Sequence, residues 1–234
     1  SLIQRTTRRL NLTDSGRAYY ERCVAILADV EEAESAVSQA HGALKGKLKV
    51  ALPLAFGLLN LAPLMQSFMT QHPDVRFELE FNDRQIDLMQ EGFDLAIRIA
   101  VLADSSLIAR RLAPIRHVVC ASPAYLARHG SPLVAADLVH HDCLAYSNVS
   151  DPGLWSFRSP DGHPGQVRVP VRLAASSGEF LLQAAVAGEG VVMLPTFYLH
   201  ASLHAGQLQQ VLADHVWPEL AAYAVYPPTR HLST

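Results

Sequence analysis

The larger part of the sequence alternates short apolar strands with amphipathic helices, and this alternation restricts the fold more than any other feature. Residues 48–52 place apolar side chains at every second position, which predicts a strand that stops at Pro53. A helix is predicted over residues 57–69, followed by strands over residues 76–81 and 94–99. This order predicts a mostly parallel sheet with helices on its faces, so the predicted fold class is α/β.

Local signals place the other elements of this first round. Asp83 is predicted to cap a short helix that ends at Gly92. Two further strands are predicted over residues 107–112 and 118–121. The first round of the pattern therefore ends near residue 121.

A second round begins at Ser122, which is predicted to cap a helix that ends at Gly130. Strands over residues 155–158 and 166–171 flank a Ser-Pro-Asp-Gly turn and predict a hairpin. The remaining predicted elements are a helix that follows Ser176-Ser177-Gly178 and ends at Gly188, a buried strand over residues 191–194 that ends at Pro195, and a last apolar strand over residues 221–226.

A long amphipathic helix is predicted before the α/β region. Thr13 suits its N-cap, and Gly42 and Gly46 loosen the chain after it. We interpret its apolar heptad stripe as a dimerisation surface, because a single helix cannot bury such a stripe alone. A helix that lies on its own domain is the alternative. The heptad stripe, spaced at alternating steps of three and four residues, consists of Cys23, Ile26, Val30, Ala33, Val37, Ala40 and Leu44.

Positive charge is concentrated at the start of the chain. Residues 1–22 carry five arginines against two acidic residues, whereas residues 23–44 carry four acidic residues and no Lys or Arg. The formal net charge of the whole chain is −3, so the basic surface is local, as expected where nucleic acid meets only one end. A solvated basic turn is the alternative. The candidate DNA-contacting residues are Arg5, Thr7, Arg8 and Arg9, which suit phosphate contacts.

The sequence contains no nucleophile elbow, no P-loop and no placed acid–base pair, so we predict that the chain is not an enzyme and needs no cofactor. No metal site is expected, because the adjacent His140 and His141 would point to opposite faces of an extended segment, and the pair His200 and His204 has no evident third ligand. Cys120 and Cys143 are predicted to be buried structural thiols, with a thiol sensor as the alternative. Free thiols and the absence of a signal peptide or an apolar run of membrane length predict a cytoplasmic protein.

Four stretches of the sequence together resemble the LysR-type transcriptional regulators, and the resemblance covers essentially the whole chain. They are RTTRRLNLTDSGR at residues 5–17, EGFDLAIR at 91–98, ASPAYL at 121–126 and GEGVVMLP at 188–195. The family pattern implies an N-terminal winged helix-turn-helix, whose recognition helix is expected before Ser1. It also implies a linker helix that pairs two subunits and a two-lobed effector domain like that of periplasmic binding proteins.

The resemblance implies a division of the chain into four parts. Residues 1–12 would be the wing of the DNA-binding domain, and residues 13–45 the linker or dimerisation helix. Lobe I would comprise residues 47–119 and 222–234, and lobe II residues 120–221. The implied partners are promoter DNA, a small-molecule effector and a second copy of the chain, with a tetramer as the full-length assembly and no membrane contact.

The effector is expected in a cleft at the carboxyl ends of the strands, where helix N-termini present free amide groups. The first cleft loop, Pro53 to Gly57, lacks the Ser or Thr that the family often places there. Its aromatic residue suits an apolar or aromatic ligand body. The predicted effector-binding residues are Leu54, Ala55, Phe56, Arg98, Ser122, Ser176, Ser177, Pro195 and Thr196.

These candidates also have structural interpretations. Arg98 suits an anionic ligand such as a small organic acid, but it can equally form an ion pair with Asp94 or Asp104. Phe56 can fill the core, and Ser122 and Ser176 can serve only as helix caps.

A solute-binding protein of a transport system is the main alternative function, because a two-lobed cleft serves both classes. The basic start, the heptad stripe and the free cysteines favour the regulator.

Overall fold

A computed structural model of the protein describes residues 3–5, 10–13, 16, 19, 20, 22, 23, 26, 44–84, 86–100 and 107–228. The chain divides into two compact units. One comprises Ser1–Lys47 and Met69–Arg76, and the other comprises Leu48–Phe68 and Phe77–Thr234. No helix in the described part of the chain is both long enough and apolar enough to cross a membrane.

The N-terminal unit begins with two short paired strands, β1 (Ile3–Arg5) and β2 (Leu10–Leu12), which run antiparallel. A helix follows, and the predicted cap is confirmed, because the Gly16 amide donates to Thr13 Oγ1 at 3.0 Å. Of the heptad stripe, Cys23 is half-buried, and Ile26 and Leu44 are exposed. The other stripe residues, Val30, Ala33, Val37 and Ala40, lie outside the described residues, as do Thr7, Arg8 and Arg9.

The first round of alternation begins with β3 (Gly46–Leu52) and a helix, α1, composed of Leu54–Phe56, a π-helical turn at Gly57–Leu61 and Ala62–Gln71. The helix therefore starts three residues before the predicted position, directly after Pro53. Gly57 is required inside it, because a Cβ there would lie 2.9 Å from Phe81 Cε1. The next elements are β4 (Val75–Phe81), α2 (Leu88–Glu91) and β5 (Leu95–Ala100).

One predicted boundary in this region is wrong. The two strands expected at residues 107–112 and 118–121 form a single strand, β6 (Ile108–Ala121). Its first part pairs with the last strand, β13 (Glu219–Tyr226), and its second part pairs with β11 (Val191–Pro195). The strand stays extended because it changes partner near residue 117 instead of ending there.

The second round adds the remaining elements. The predicted helix after Ser122 is confirmed as α3, and the predicted strand over residues 166–171 is divided at Pro170 between β9 and β10. The elements are α3 (Pro123–His129), a 3-10 helix (Ala135–His140), β7 (Cys143–Tyr146), β8 (Leu154–Arg158), β9 (Pro164–Arg168), β10 (Val171–Ala175), α4 (Gly178–Val186), α5 (Thr196–His204) and β12 (Gln209–Val211).

In the described part of the chain, one mixed sheet has the order β10-β7-β11-β6-β13-β5-β3-β4, with β12 also paired to β6. Strands β7, β10 and β11 are parallel to one another, as are β3 and β5, whereas β6 and β13 run against their neighbours. The sheet is therefore less parallel than the alternation predicts. We call β3, β4, β5, β13 and the first part of β6 the first half, and the rest of the sheet the second half.

The second half has cores on both faces of its sheet. Cys120 belongs to a cluster with Leu144 and Leu181, and Cys143 to another with Tyr125 and Val191. Both thiols are fully buried, and burial raises the pKa of each to about 12. Because they point to opposite faces and stay protonated, both are structural thiols, as the sequence predicts.

Candidate functional site

The parallel strands of the second half end at the same edge of the sheet. Strand β7 ends at Tyr146, paired with Ala175 at the end of β10, and the Ser147 amide donates to the Ala175 carbonyl at 2.9 Å. The residues that follow β10 and β11 therefore reach this edge together. Four of the predicted effector-binding residues lie here: Pro195 is the last residue of β11, and Ser176, Ser177 and Thr196 follow the two strands.

The start of α4 at this edge is fixed by Ser177 and Gly178. Ser177 Oγ accepts the Phe180 amide at 3.2 Å, so its side chain is a helix cap. A Cβ at Gly178 would lie 2.5 Å from Tyr198 Cζ. Glycine is therefore required for the Tyr198 ring to lie against the start of α4.

The first cleft loop contacts the second half directly. The Phe56 ring lies 5.4 Å from the Phe197 ring in an edge-to-face arrangement, and Phe197 lies next to Tyr198 with its ring centroid 4.6 Å away. Phe56 is almost fully buried with Ile115 and with other apolar residues of the first half. Phe56 is therefore part of the hydrophobic core of the first half, and its ring also contacts the second half.

Asp83 is a component of this site that the sequence assigns to another role. It does not cap α2, because Asp87 does so by accepting the amides of Met89 and Gln90 at 3.1 Å. Asp83 Oδ1 instead accepts the Leu54 amide at 3.0 Å, at the start of α1. A pairing across 29 residues has no local sequence signal, which explains the wrong prediction.

Two tyrosines of the second half lie close enough to Asp83 for its charge to act on their hydroxyls. Burial raises the pKa of Tyr146 and of Tyr198, and the negative charge of Asp83 raises both further. Asn148 Nδ2 donates to the Tyr146 hydroxyl at 3.2 Å. We define the candidate cleft by residues in the loops and helices attached to the two halves of the sheet. The first half contributes Leu54, Ala55, Phe56 and Asp83. The second half contributes Tyr146, Ser176, Ser177, Thr196, Phe197 and Tyr198.

The structure does not bring Arg98 to the candidate cleft. In β5, Ile97 and Ile99 pack on the side of Phe56, whereas Ala96 packs with Ile86 on the opposite face. The Arg98 guanidinium lies on that opposite face and donates to the Ile86 carbonyl.

Two ion-pair partners were predicted for Arg98. One of them, Asp94, uses its carboxylate to accept the Lys49 amide at 2.8 Å. The other, Asp104, lies outside the described residues.

Ser122 also lies away from this edge. Because β6 and β11 are antiparallel, His117 pairs with Pro195 and Cys120 with Val192, so Ser122 lies beyond the opposite end of β11. Its Oγ accepts the Tyr125 amide at 3.2 Å in a buried position. The structure thus supports the helix-cap interpretation of Ser122.

No set of three or more His, Cys, Asp or Glu residues suited to a metal ion occurs among the described residues. His141 is buried, with its Nδ1 3.3 Å from the Tyr125 hydroxyl, and the rings of His200 and His204 stack on each other.

Comparison with known proteins identifies a family. Residues 41–234 match the family described as the LysR substrate binding domain. An uncharacterised HTH-type transcriptional regulator of Haemophilus influenzae is 39% identical over 231 residues, which cover 99% of this chain and 80% of that protein. The HTH-type regulator CrgA of Neisseria meningitidis is 35% identical over 214 residues, covering 92% of this chain and 71% of CrgA.

Solved structures of HTH-type and LysR-type regulators also match this chain. The structure of CrgA matches with a TM-score of 0.70 and 33% identity, over 97% of this chain and 77% of that one. The full-length Vibrio cholerae virulence activator AphB matches with a TM-score of 0.72 and 27% identity, over 99% and 79%. These relatives are transcriptional regulators and not enzymes, as the sequence predicts for this chain.

Proposed function

Because this chain belongs to the LysR family of transcriptional regulators, we propose that it senses a small molecule in the candidate cleft and thereby alters promoter binding. The observation that supports this most is the meeting of the first cleft loop with the strand-end loops of the second half through the Phe56–Phe197 contact. A ligand placed there touches both halves, so its binding energy depends on their relative position.

A change between the halves has few covalent paths. Strand β6 passes from the first half to the second at Arg116 and His117, and the chain returns through residues 212–219. The two crossings are joined by a 2.8 Å hydrogen bond between His117 Nδ1 and the Pro218 carbonyl. We propose that movement at these crossings transmits ligand binding toward the DNA-binding end.

The other end of the protein is proposed to bind DNA and a second copy of the chain. Arg5, Thr7, Arg8 and Arg9 would contact phosphates, and the heptad stripe would pair two linker helices. In the full-length protein, replacing Arg8 and Arg9 by alanine should weaken binding to specific and random DNA by similar factors and flatten its salt dependence. A change in sequence preference with an unchanged salt slope would contradict this role.

The organic acid predicted from the sequence loses its main support, since Arg98 lies on the opposite face of the sheet. The proposed function therefore specifies a small molecule with an apolar or aromatic body and does not specify its polar head group.

Filling the candidate cleft with a side chain tests this proposal. Ser176 is exposed at the strand-end edge, so Ser176→Trp should block the cleft without disturbing the core. Ser131→Trp, in the exposed loop after α3, makes the same replacement away from that edge. In a thermal-shift screen of small metabolites, a ligand should raise the Tm of wild type and Ser131→Trp but not of Ser176→Trp. Equal stabilisation of all three proteins would remove the ligand site from this cleft.

A further inference from the structure

The polar side of the candidate cleft is acidic, and this charge restricts the ligand that the proposed function requires. We propose that the cleft binds a small amine with an apolar or aromatic body and disfavours carboxylates. The proposal rests on the proposed function and assigns the head group of the ligand.

The start of α1 is where an anionic ligand would be expected to bind. A free amide at a helix N-terminus attracts anions, and such an amide is the usual means of holding a carboxylate. Here the Leu54 amide already donates to Asp83 Oδ1 at 3.0 Å. The protein's own carboxylate thus occupies the position and brings a negative charge to it.

The groups close to Asp83 also disfavour an anionic ligand. The carboxylate lies within Coulombic reach of the hydroxyls of Tyr146 and Tyr198, and Glu179 adds a second negative charge near Tyr198. Both phenols remain neutral, because burial and these acids raise their pKa. A carboxylate ligand would meet two like charges, whereas an ammonium group would meet two acids and two neutral hydroxyl oxygens.

The arginine nearest in sequence to Asp83 is already paired. The Arg84 guanidinium forms ion pairs with Glu91 and, at 3.3 Å, with Glu80, within the first half. Its charge is therefore already balanced by two carboxylates. It offers little attraction to an anion in the cleft.

Two further arginines are also committed elsewhere. Arg98 lies on the opposite face of the sheet, bonded to the Ile86 carbonyl. Arg172 forms ion pairs with Asp142 at 3.2 Å and Glu189 at 2.8 Å, at the opposite ends of the parallel strands.

The apolar side of the cleft suits the body of such an amine. The half-buried rings of Phe197 and Tyr198 lie next to each other with a centroid separation of 4.6 Å, and Phe197 packs on the buried Phe56 ring at 5.4 Å. Aromatic faces also attract an ammonium group. An amine carried on a benzyl-sized body therefore matches both sides of the cleft.

The experiment compares three probes of one shape, benzylamine, benzyl alcohol and benzoate, by calorimetric titration of this chain. Asp83→Asn keeps an acceptor for the Leu54 amide and removes the charge. Asp161→Asn, on the exposed β8–β9 turn, is the matched control. We expect wild type and Asp161→Asn to prefer benzylamine over benzoate, and Asp83→Asn to lose about tenfold in benzylamine affinity with benzyl alcohol unchanged.

Three results would each overturn the proposal. They are tighter binding of benzoate than of benzylamine to wild type, absence of benzylamine binding, and equal benzylamine affinity in wild type and Asp83→Asn. In each case, a screened ligand that is lost in Ser176→Trp would leave the proposed function standing, and absence of any such ligand would refute the proposed function as well.

Discussion

Tyr125→Phe tests the polar network that joins α3 to the start of β7. The ring of Tyr125 is fully buried and stacks on His129 with a centroid separation of 4.4 Å. Its hydroxyl accepts the Asp142 amide at 3.0 Å and lies 3.3 Å from His141 Nδ1. The hydroxyl therefore accepts one hydrogen bond from the Asp142 amide and shares a second with the His141 ring nitrogen.

Phenylalanine preserves the ring and removes only the oxygen, so the buried His141 nitrogen and the part-buried Asp142 amide lose this partner. Leaving them unsatisfied should cost about 1–3 kcal/mol of unfolding free energy. In a chain of this length, that loss corresponds to a fall in Tm of about 2–10 °C. Urea unfolding followed by circular dichroism measures the free energy, and calorimetry measures the Tm.

The control is Tyr226→Phe, at the half-buried end of β13. It removes the same atom where no hydrogen bond joins the hydroxyl to another described residue, and its effect should stay within about 0.5 kcal/mol. If Tyr125→Phe is as mild as the control, the hydroxyl network contributes nothing and the reasoning is wrong.

Three further predictions concern other parts of the molecule. Burial lowers the pKa of His141 below its usual value near 6.5, so the free energy of unfolding should be highest above that pH and should decrease below it. His141→Asn should flatten this decrease between pH 7 and 5 in unfolding experiments, and an unchanged pH profile would contradict the assignment. Gly190→Ala would place a Cβ 2.4 Å from the Asp142 carbonyl oxygen and should cost about 1–3 kcal/mol or more in urea unfolding, whereas Gly153→Ala, with its nearest atom at 3.4 Å, should be mild. Val30→Asp should weaken dimerisation in light scattering, and a wild type that is monomeric at micromolar concentration would refute the heptad stripe.

The sequence predicts helix ends well, because their signals are local. Thr13 and Ser122 each accept a backbone amide three residues later, as their position before a helix suggests, whereas α4 is capped by Ser177 and not by the predicted Ser176. The β8–β9 hairpin follows from its turn residues, and Gly162 has a φ of +88°. Such contacts lie within a few residues of each other, so the sequence alone contains the necessary information.

The components of the candidate cleft are harder to predict, because they depend on contacts between distant residues. Asp83 resembles a helix cap, but Asp87 four residues later takes that role and leaves Asp83 for Leu54. In β5 both faces are largely apolar, so alternation does not show which face receives Arg98.

The tyrosines of the cleft were missed for the same reason. Tyr146 and Tyr198 lie in segments whose patterns predict only a strand and a helix. Their proximity to Asp83 arises from the meeting of the two halves.

The central claim is that a ligand in the candidate cleft changes promoter binding. The most direct measurement is fluorescence anisotropy of the full-length protein on the DNA upstream of its own gene. The titrant is the compound from the thermal-shift screen that most stabilises wild type. We expect this compound to shift the DNA-binding midpoint of wild type and of Ser131→Trp, and to leave that of Ser176→Trp unchanged. An identical midpoint with and without the compound in wild type, or an equal shift in Ser176→Trp, would show that a ligand in the candidate cleft does not control promoter binding.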